Sequence, residues 1–201
     1  WYGDHRDLHY PLRRQRQMCI RDRLVDTFTI SSAVSTVTIG GGSSGSSSYN
    51  FAINTNDVYA VFYHNLYMVN DGAVAALRLT VSGSADTTSN YDNARQNLYA
   101  NQSFYDGANQ NLSYFSSIGM GTTHPESQCG VYFLYNFNNS SEYSYVTWAQ
   151  NFTTETPEYI GPQGGGVLTV DQACDGVQFF ANSGNIASGT FSMYKMVGNG
   201  E

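Results

Sequence analysis

Between residues 74 and 83, "VAALRLTVSG", apolar and polar side chains alternate. Leu77, Leu79 and Val81 fall on one side, Arg78, Thr80 and Ser82 on the other. A period of two puts each set on its own face of an extended chain, so this is a half-buried β-strand. Polarity alternates roughly again in "DTFTISSAVSTVTIG" (26–40) and in "ASGTFSMYKMVG" (187–198), where Phe191 and Met193 alternate with Ser192 and Tyr194, and "SEYSYVTWAQNFTT" (141–154) and "DGVQFFANSG" (175–184) are further strands. "PQGGGVLTV" (162–170) is one more strand, and "NLSYFSSIG" (111–119) a short one. "DVYAVFYHNLYM" (57–68) is apolar on both sides, as a central strand would be. In "CGVYFLYNFN" (129–138), Val131, Phe133, Tyr135 and Phe137 fall on one face. No stretch of useful length has helical spacing. About eight to ten short strands parted by Gly, Asn and Ser turns point to an all-β chain. The expected architecture is an antiparallel two-sheet sandwich, jelly-roll-like.

Turn chemistry supports this reading. "NDG" (70–72) supplies the positive φ angles of a tight hairpin between two strands. "SGN" (183–185) turns the chain so that "ASGT" pairs with "VQFFA", closing the sandwich. "GGGSSGSSS" (40–48) reads as a Gly/Ser-rich loop between strands, with a hinge as the alternative. Residues 84–110 are polar throughout and are expected to form one long loop.

Charge divides the chain. Residues 1–23 hold six of the nine basic side chains, all Arg, and three acidic ones, a net of +3. Residues 24–201 hold three basic and thirteen acidic, a net of −10. An acidic body repels phosphate, so nucleic acid is not its expected partner. No apolar run reaches the length of a membrane span, so no membrane insertion is expected, and residues 1–23 lack the apolar centre of a secretion signal. The division expected is residues 1–23 as a disordered or artefactual segment and 24–201 as one β-sandwich domain. "RQMCIRDR" (16–23) resembles the conceptual translation of a sequencing adapter that recurs at the ends of unrelated chains. The resemblance implies that residues 1–23 stand outside the functional argument and that the body is a fragment of a longer protein.

A search for chemistry finds little that converges. There is no GxSxG, HExxH or phosphate-cradling loop. His64 reads as a strand residue and His124 as part of a turn. The carboxylate pairs Glu155/Glu158 and Asp171/Asp175 flank Pro or Gly in turns and read as solvated loop residues, with acid–base and calcium roles as alternatives. Cys129 and Cys174 are expected to be small buried hydrophobes, with pairing left open. No catalysis, cofactor or metal is expected. Tyr91, Tyr99, Phe104, Tyr105 and Tyr114 lie in or beside the polar stretch, among Asn, Gln and Asp. Aromatic rings stack on sugar faces while amides and carboxylates bond hydroxyls, so these five are the candidate ligand-binding residues. The competing account is that the rings pin the loop to the sheet or line a subunit interface.

Three stretches taken together resemble a known group. They are "DVYAVFYHNLYMVNDGAVAALRLTVSG", "YFLYNFNNSSEYSYVTWA" and the ending "DGVQFFANSGNIASGTFSMYKMVG". In this order they resemble tail-fibre-like structural domains of tailed-phage virions, over most of residues 49–198. The closing pattern falls on Val177, Phe179, Phe180, Gly184, Asn185, Ile186, Ser188, Gly189, Thr190, Phe191, Met193 and Tyr194; Lys195 departs from the usual Gly. The resemblance implies a non-catalytic virion domain for assembly, host-surface attachment or both. Its partners would be other virion proteins or itself, as in a homotrimer, and a host-surface glycan. The alternative is a carbohydrate-binding module of a secreted, extracellular bacterial protein.

Overall fold

The computed structural model describes residues 23–41, 57–116, 118–122, 126–156 and 158–196. It holds twelve strands: β1 (Arg23–Thr29), β2 (Thr36–Gly40), β3 (Val58–Met68), β4 (Ala75–Val81), β5 (Ser84–Ala85), β6 (Tyr91–Tyr99), β7 (Tyr105–Leu112), β8 (Gln128–Tyr135), β9 (Tyr143–Thr153), β10 (Tyr159–Asp171), β11 (Gly176–Ala181) and β12 (Ile186–Met196). All pair antiparallel, in an eight-stranded sheet ordered β1-β12-β3-β8-β9-β10-β6-β7 and a four-stranded sheet ordered β2-β11-β4-β5. The fold is the antiparallel two-sheet sandwich expected. Its kernel, β1-β12-β3-β8 facing β2-β11-β4-β5, has the strand order of a jelly roll. The larger sheet then continues through β9, β10, β6 and β7.

The two sheets meet through aromatic rings. Phe179 of the small sheet lies 4.7 Å from Phe191, 5.6 Å from Tyr63 and 5.9 Å from Tyr132 of the large one, centroid to centroid. Alternation along each strand puts one side inward, as with Leu77 and Leu79, or Phe191 and Met193, all fully buried.

The predicted hairpins are not hairpins. The turn at 70–72 carries β3 of the large sheet over to β4 of the small one. The turn at 183–185 carries β11 back to β12 in the same way. Gly72 and Gly184 both take φ of 72° as the turns require. The two crossings are tied together: Asn70 Nδ2 donates to Ser183 Oγ at 2.9 Å, and the Val69 amide to the Asn185 carbonyl at 2.9 Å. The polar stretch 84–110 is likewise not one long loop; most of it is β6 and β7. Backbone ladders do not require apolar side chains, and β6 is held by β10 on one side and β7 on the other.

Other departures are local. The described residues of 111–119 form no strand of their own after β7 ends; Phe115 and Gly119 make single bridges to Leu77 and Val74. On β3 the outward Ala60 is buried while Phe62 and His64 are exposed, so the outward face is only partly covered. Asn136, at φ 53°, breaks the alternation after β8, so Phe137 enters the core while Tyr135 stays exposed. Cys129 is exposed rather than buried, Cys174 is buried as expected, and both are free thiols. β1 begins at Arg23, inside the segment assigned to 1–23; the disorder expected of the rest of that segment, and residues 42–48 of the Gly/Ser-rich loop, lie outside the described residues.

The interior holds groups that resist ionisation. Burial pushes the phenols of Tyr63, Tyr91 and Tyr132 well up, and pushes the Cys174 thiol to about 12. In the unfolded chain these groups lose protons at roughly 8.5 for Cys and 10 for Tyr. Above those values the native state binds more protons than the unfolded one, so stability falls as pH rises. Denaturant midpoints are therefore expected to hold steady from neutrality to about pH 8.5 and then to drop steadily through pH 11. A midpoint unchanged at pH 11 would mean that these groups are hydrated in the folded protein.

Candidate functional site

Register aligns side chains in rows across the large sheet. Thr147 pairs with Gly165, Gly165 with Ala94 and Ala94 with Ala108. Val167 pairs with Tyr145 on one side and Asp92 on the other. These side chains face away from the small sheet, because the alternate set, Val146, Trp148 and Leu168, is buried between the sheets. Along the first row the side chains shrink to a methyl or less at Gly165, Ala94 and Ala108. A trough results, an open groove of about 790 Å³ over β9, β10, β6 and β7. Asp92 and Tyr145 stand at one end of it, with Gln110.

Most of the lining is apolar, and the polar and aromatic side chains stand at its borders. Tyr145 is 46% exposed and lies opposite the exposed Tyr135 of β8. Asp92 Oδ1 accepts from the Asn111 amide at 2.8 Å, which holds it at the edge of the groove. On the next row Gln96 Nε2 donates to Asp106 Oδ1 at 3.3 Å. An aromatic wall, a flat floor of small residues and fixed amides and carboxylates suit a planar, hydroxyl-rich ligand.

The five aromatic candidates do not come together on one surface. Tyr91 is in the core; its hydroxyl accepts from the Leu79 amide at 3.2 Å and donates to the Asp86 carbonyl at 3.0 Å, and its ring meets Phe115 edge-on at 4.9 Å. Tyr114 lies edge-on to Phe180 of the small sheet at 5.4 Å, and the Arg78 guanidinium sits 4.1 Å from that same Phe180 ring. Tyr99 packs half-buried against the core at the end of β6. Phe104 and Tyr105 are open, 64% and 59% exposed, where β6 turns into β7. Sequence reasoning passed over Tyr145, Ala94 and Gly165. The one available signal was the "GGG" at 164–166, which only strand register turns into a floor.

One carboxylate of each pair is engaged in structure, while Glu155 and Asp171 are exposed. Asp175 accepts from Thr80 Oγ1 at 2.7 Å and from the Gly83 amide at 2.8 Å, which fixes the β4–β5 turn. Glu158 accepts from Asn101 Nδ2 at 2.6 Å. Among the described residues no group of three or more His, Cys, Asp and Glu is placed to hold a metal ion. His124 lies outside the described residues. Comparison with protein-family models, with curated proteins and with solved structures finds no match for this chain.

Proposed function

We propose that the chain is a non-catalytic attachment domain, tail-fibre-like, that holds a neutral glycan in the groove on the outer face of its large sheet. The observation that carries this reading is the trough of Gly165, Ala94 and Ala108 beneath the exposed Tyr145. Sugar rings stack on such a tyrosine, and their hydroxyls reach Asp92 and Thr147. A jelly roll by itself hosts many activities, so the site carries the argument and not the fold. Placement at the end of a virion fibre rests on the closing pattern Gly184 to Tyr194, which forms the crossing turn and β12. A binding module of a secreted bacterial protein would use the same groove, and fibre-like repeats encoded upstream would decide for the virion setting.

The test is calorimetric and NMR titration with a panel of neutral oligosaccharides. Wild type is expected to bind at least one of them. Tyr145→Ala is expected to weaken that binding at least about tenfold, the scale of one lost stacking contact. Its melting temperature should not change, since the ring is exposed. If no neutral sugar in the panel shifts any resonance of β6, β9 or β10, the groove reading is wrong.

A further inference from the structure

On the face opposite the groove, the same strands carry a different set of side chains. Register places Asn97 beside Tyr105, Arg95 beside Gly107 and Asn93 beside Asn109, in three successive rows at the β7 edge of the sheet. On the other side Arg95 faces Gly164, which in turn faces Trp148. Arg95 is thus flanked by glycine on both strands. Its guanidinium lies over Gly107 so closely that a Cβ there would be 3.0 Å from Cζ.

The polar atoms of this patch are unmatched. Arg95 Nε and Nη1, both amide atoms of Asn93 and of Asn97, and Trp148 Nε1 are shielded from solvent and have no hydrogen-bond partner. Asn97 is fully buried, and Asn93 and Trp148 nearly so. Other body cations are engaged: Lys195 pairs with Asp57 at 2.9 Å, and Arg78 donates to the Ser113 carbonyl at 3.0 Å. Arg95 makes no such contact. An unpaired, partly buried cation among unpaired amides is costly for a fold to keep without a use for it.

We propose that Arg95 is the anchor of a second binding site, for a saccharide that bears a carboxylate. A single guanidinium matches the single charge of a carboxylate better than a phosphate dianion. Of the guanidinium nitrogens Nη2 alone is not shielded, and it lies beside Gly107 on the edge strand, where a carboxylate would meet it. Tyr105, two residues before Gly107 on the same face, offers a ring for the sugar, and Asn109 offers an amide for its hydroxyls. Because the body is net negative, this one contact, and not a diffuse positive field, has to supply the selectivity. Arg95 and Tyr105 are not among the groove's lining residues, whereas Asn93 and Asn109 also border the groove.

The experiment titrates the full chain with a uronate-bearing oligosaccharide, with its neutral counterpart of matched linkage and with free acetate. The uronate sugar is expected to bind at least about tenfold more tightly than the neutral one, the scale of one charge-assisted contact. Arg95→Gln is expected to erase that preference while leaving neutral-sugar binding in place. Asn109→Asp, which sets a competing carboxylate one row from Arg95 on the same face, is expected to erase the preference as well. Melting temperatures should be unchanged or raised in Arg95→Gln, because an unpaired charge is removed. Equal affinity for the two sugars, or a preference that survives both substitutions, overturns the proposal while leaving the groove reading intact. Acetate binding as tightly as the uronate sugar removes the saccharide from it. If neither sugar binds, both readings fail.

Discussion

Phe179→Ala is expected to destabilise the domain by about 3–5 kcal/mol, the usual range for deleting a buried phenyl ring. In a chain of this size that lowers the melting temperature by roughly 6–20 °C. The size of the effect follows from where the ring sits. Phe179 belongs to β11, the central link of the small sheet, hydrogen-bonded to β2 on one side and β4 on the other. Its ring is the point where that sheet touches Phe191, Tyr63 and Tyr132 of the large one. These partners lie on three adjacent strands, β12, β3 and β8, whose ladders hold them in place. They cannot collapse freely into the space left, so the cavity persists and adds to the lost transfer energy. Phe104→Ala is the internal comparison. That ring is 64% exposed, and its loss should change stability by no more than about 0.5 kcal/mol. Thermal melts followed by near-ultraviolet circular dichroism read both. A Phe179→Ala protein melting within a degree or two of wild type would mean that the sheets do not meet through this ring.

The parts of the fold that were legible in the sequence are those set by nearest neighbours. Leu77 and Leu79 announce an inward face because burial of one sheet face is a local, two-residue rule. Gly72 and Gly184 announce turns because positive φ is a property of one residue. Which strands a turn joins is not local: a tight turn reads as a hairpin in sequence, whereas here the turns at 70–72 and 183–185 are crossings between sheets. β6 was hidden for a different reason. Its inward positions run Tyr91, Asn93, Arg95, Asn97, so the face that enters the interior is as polar as the outer one, and no hydrophobic period exists to be seen. The unmatched amides and guanidinium that conceal the strand are also what mark its second face as a site. The groove was illegible because its floor is defined by the absence of side chains on three strands brought into register from positions 94, 108 and 165.

Gly165→Val and Gly166→Val, one residue apart on β10, are expected to have opposite consequences. At Gly166 a Cβ would lie 2.7 Å from both the Asp92 carbonyl oxygen and Phe115 Cε1. One of these is backbone of the neighbouring strand, and the other belongs to a fully buried ring wedged against Tyr91. Neither has room to retreat, so a valine must part β10 from β6 or expel Phe115. The expected loss is about 3 kcal/mol or more, at the upper end for overpacking, and β6–β7 should lose hydrogen-exchange protection first. At Gly165 the side chain would point the other way, into the groove. A Cβ there would approach the Val146 carbonyl oxygen at 3.1 Å and Thr147 Cγ2 at 3.7 Å, which shifts of a few tenths of an ångström relieve. A β-branched residue also suits a strand better than glycine does, so the fold should be kept, with a melting temperature near that of wild type. The isopropyl group would nevertheless occupy the floor between Ala94 and Thr147. Neutral-sugar binding should fall at least about tenfold, as it does on losing one good contact, and a preference for uronate sugars at Arg95, on the far face, should persist. A Gly165→Val protein that unfolds as readily as Gly166→Val would show that the two faces of β10 have been assigned the wrong way round. One that folds and still binds neutral sugars as wild type does would remove the groove from consideration.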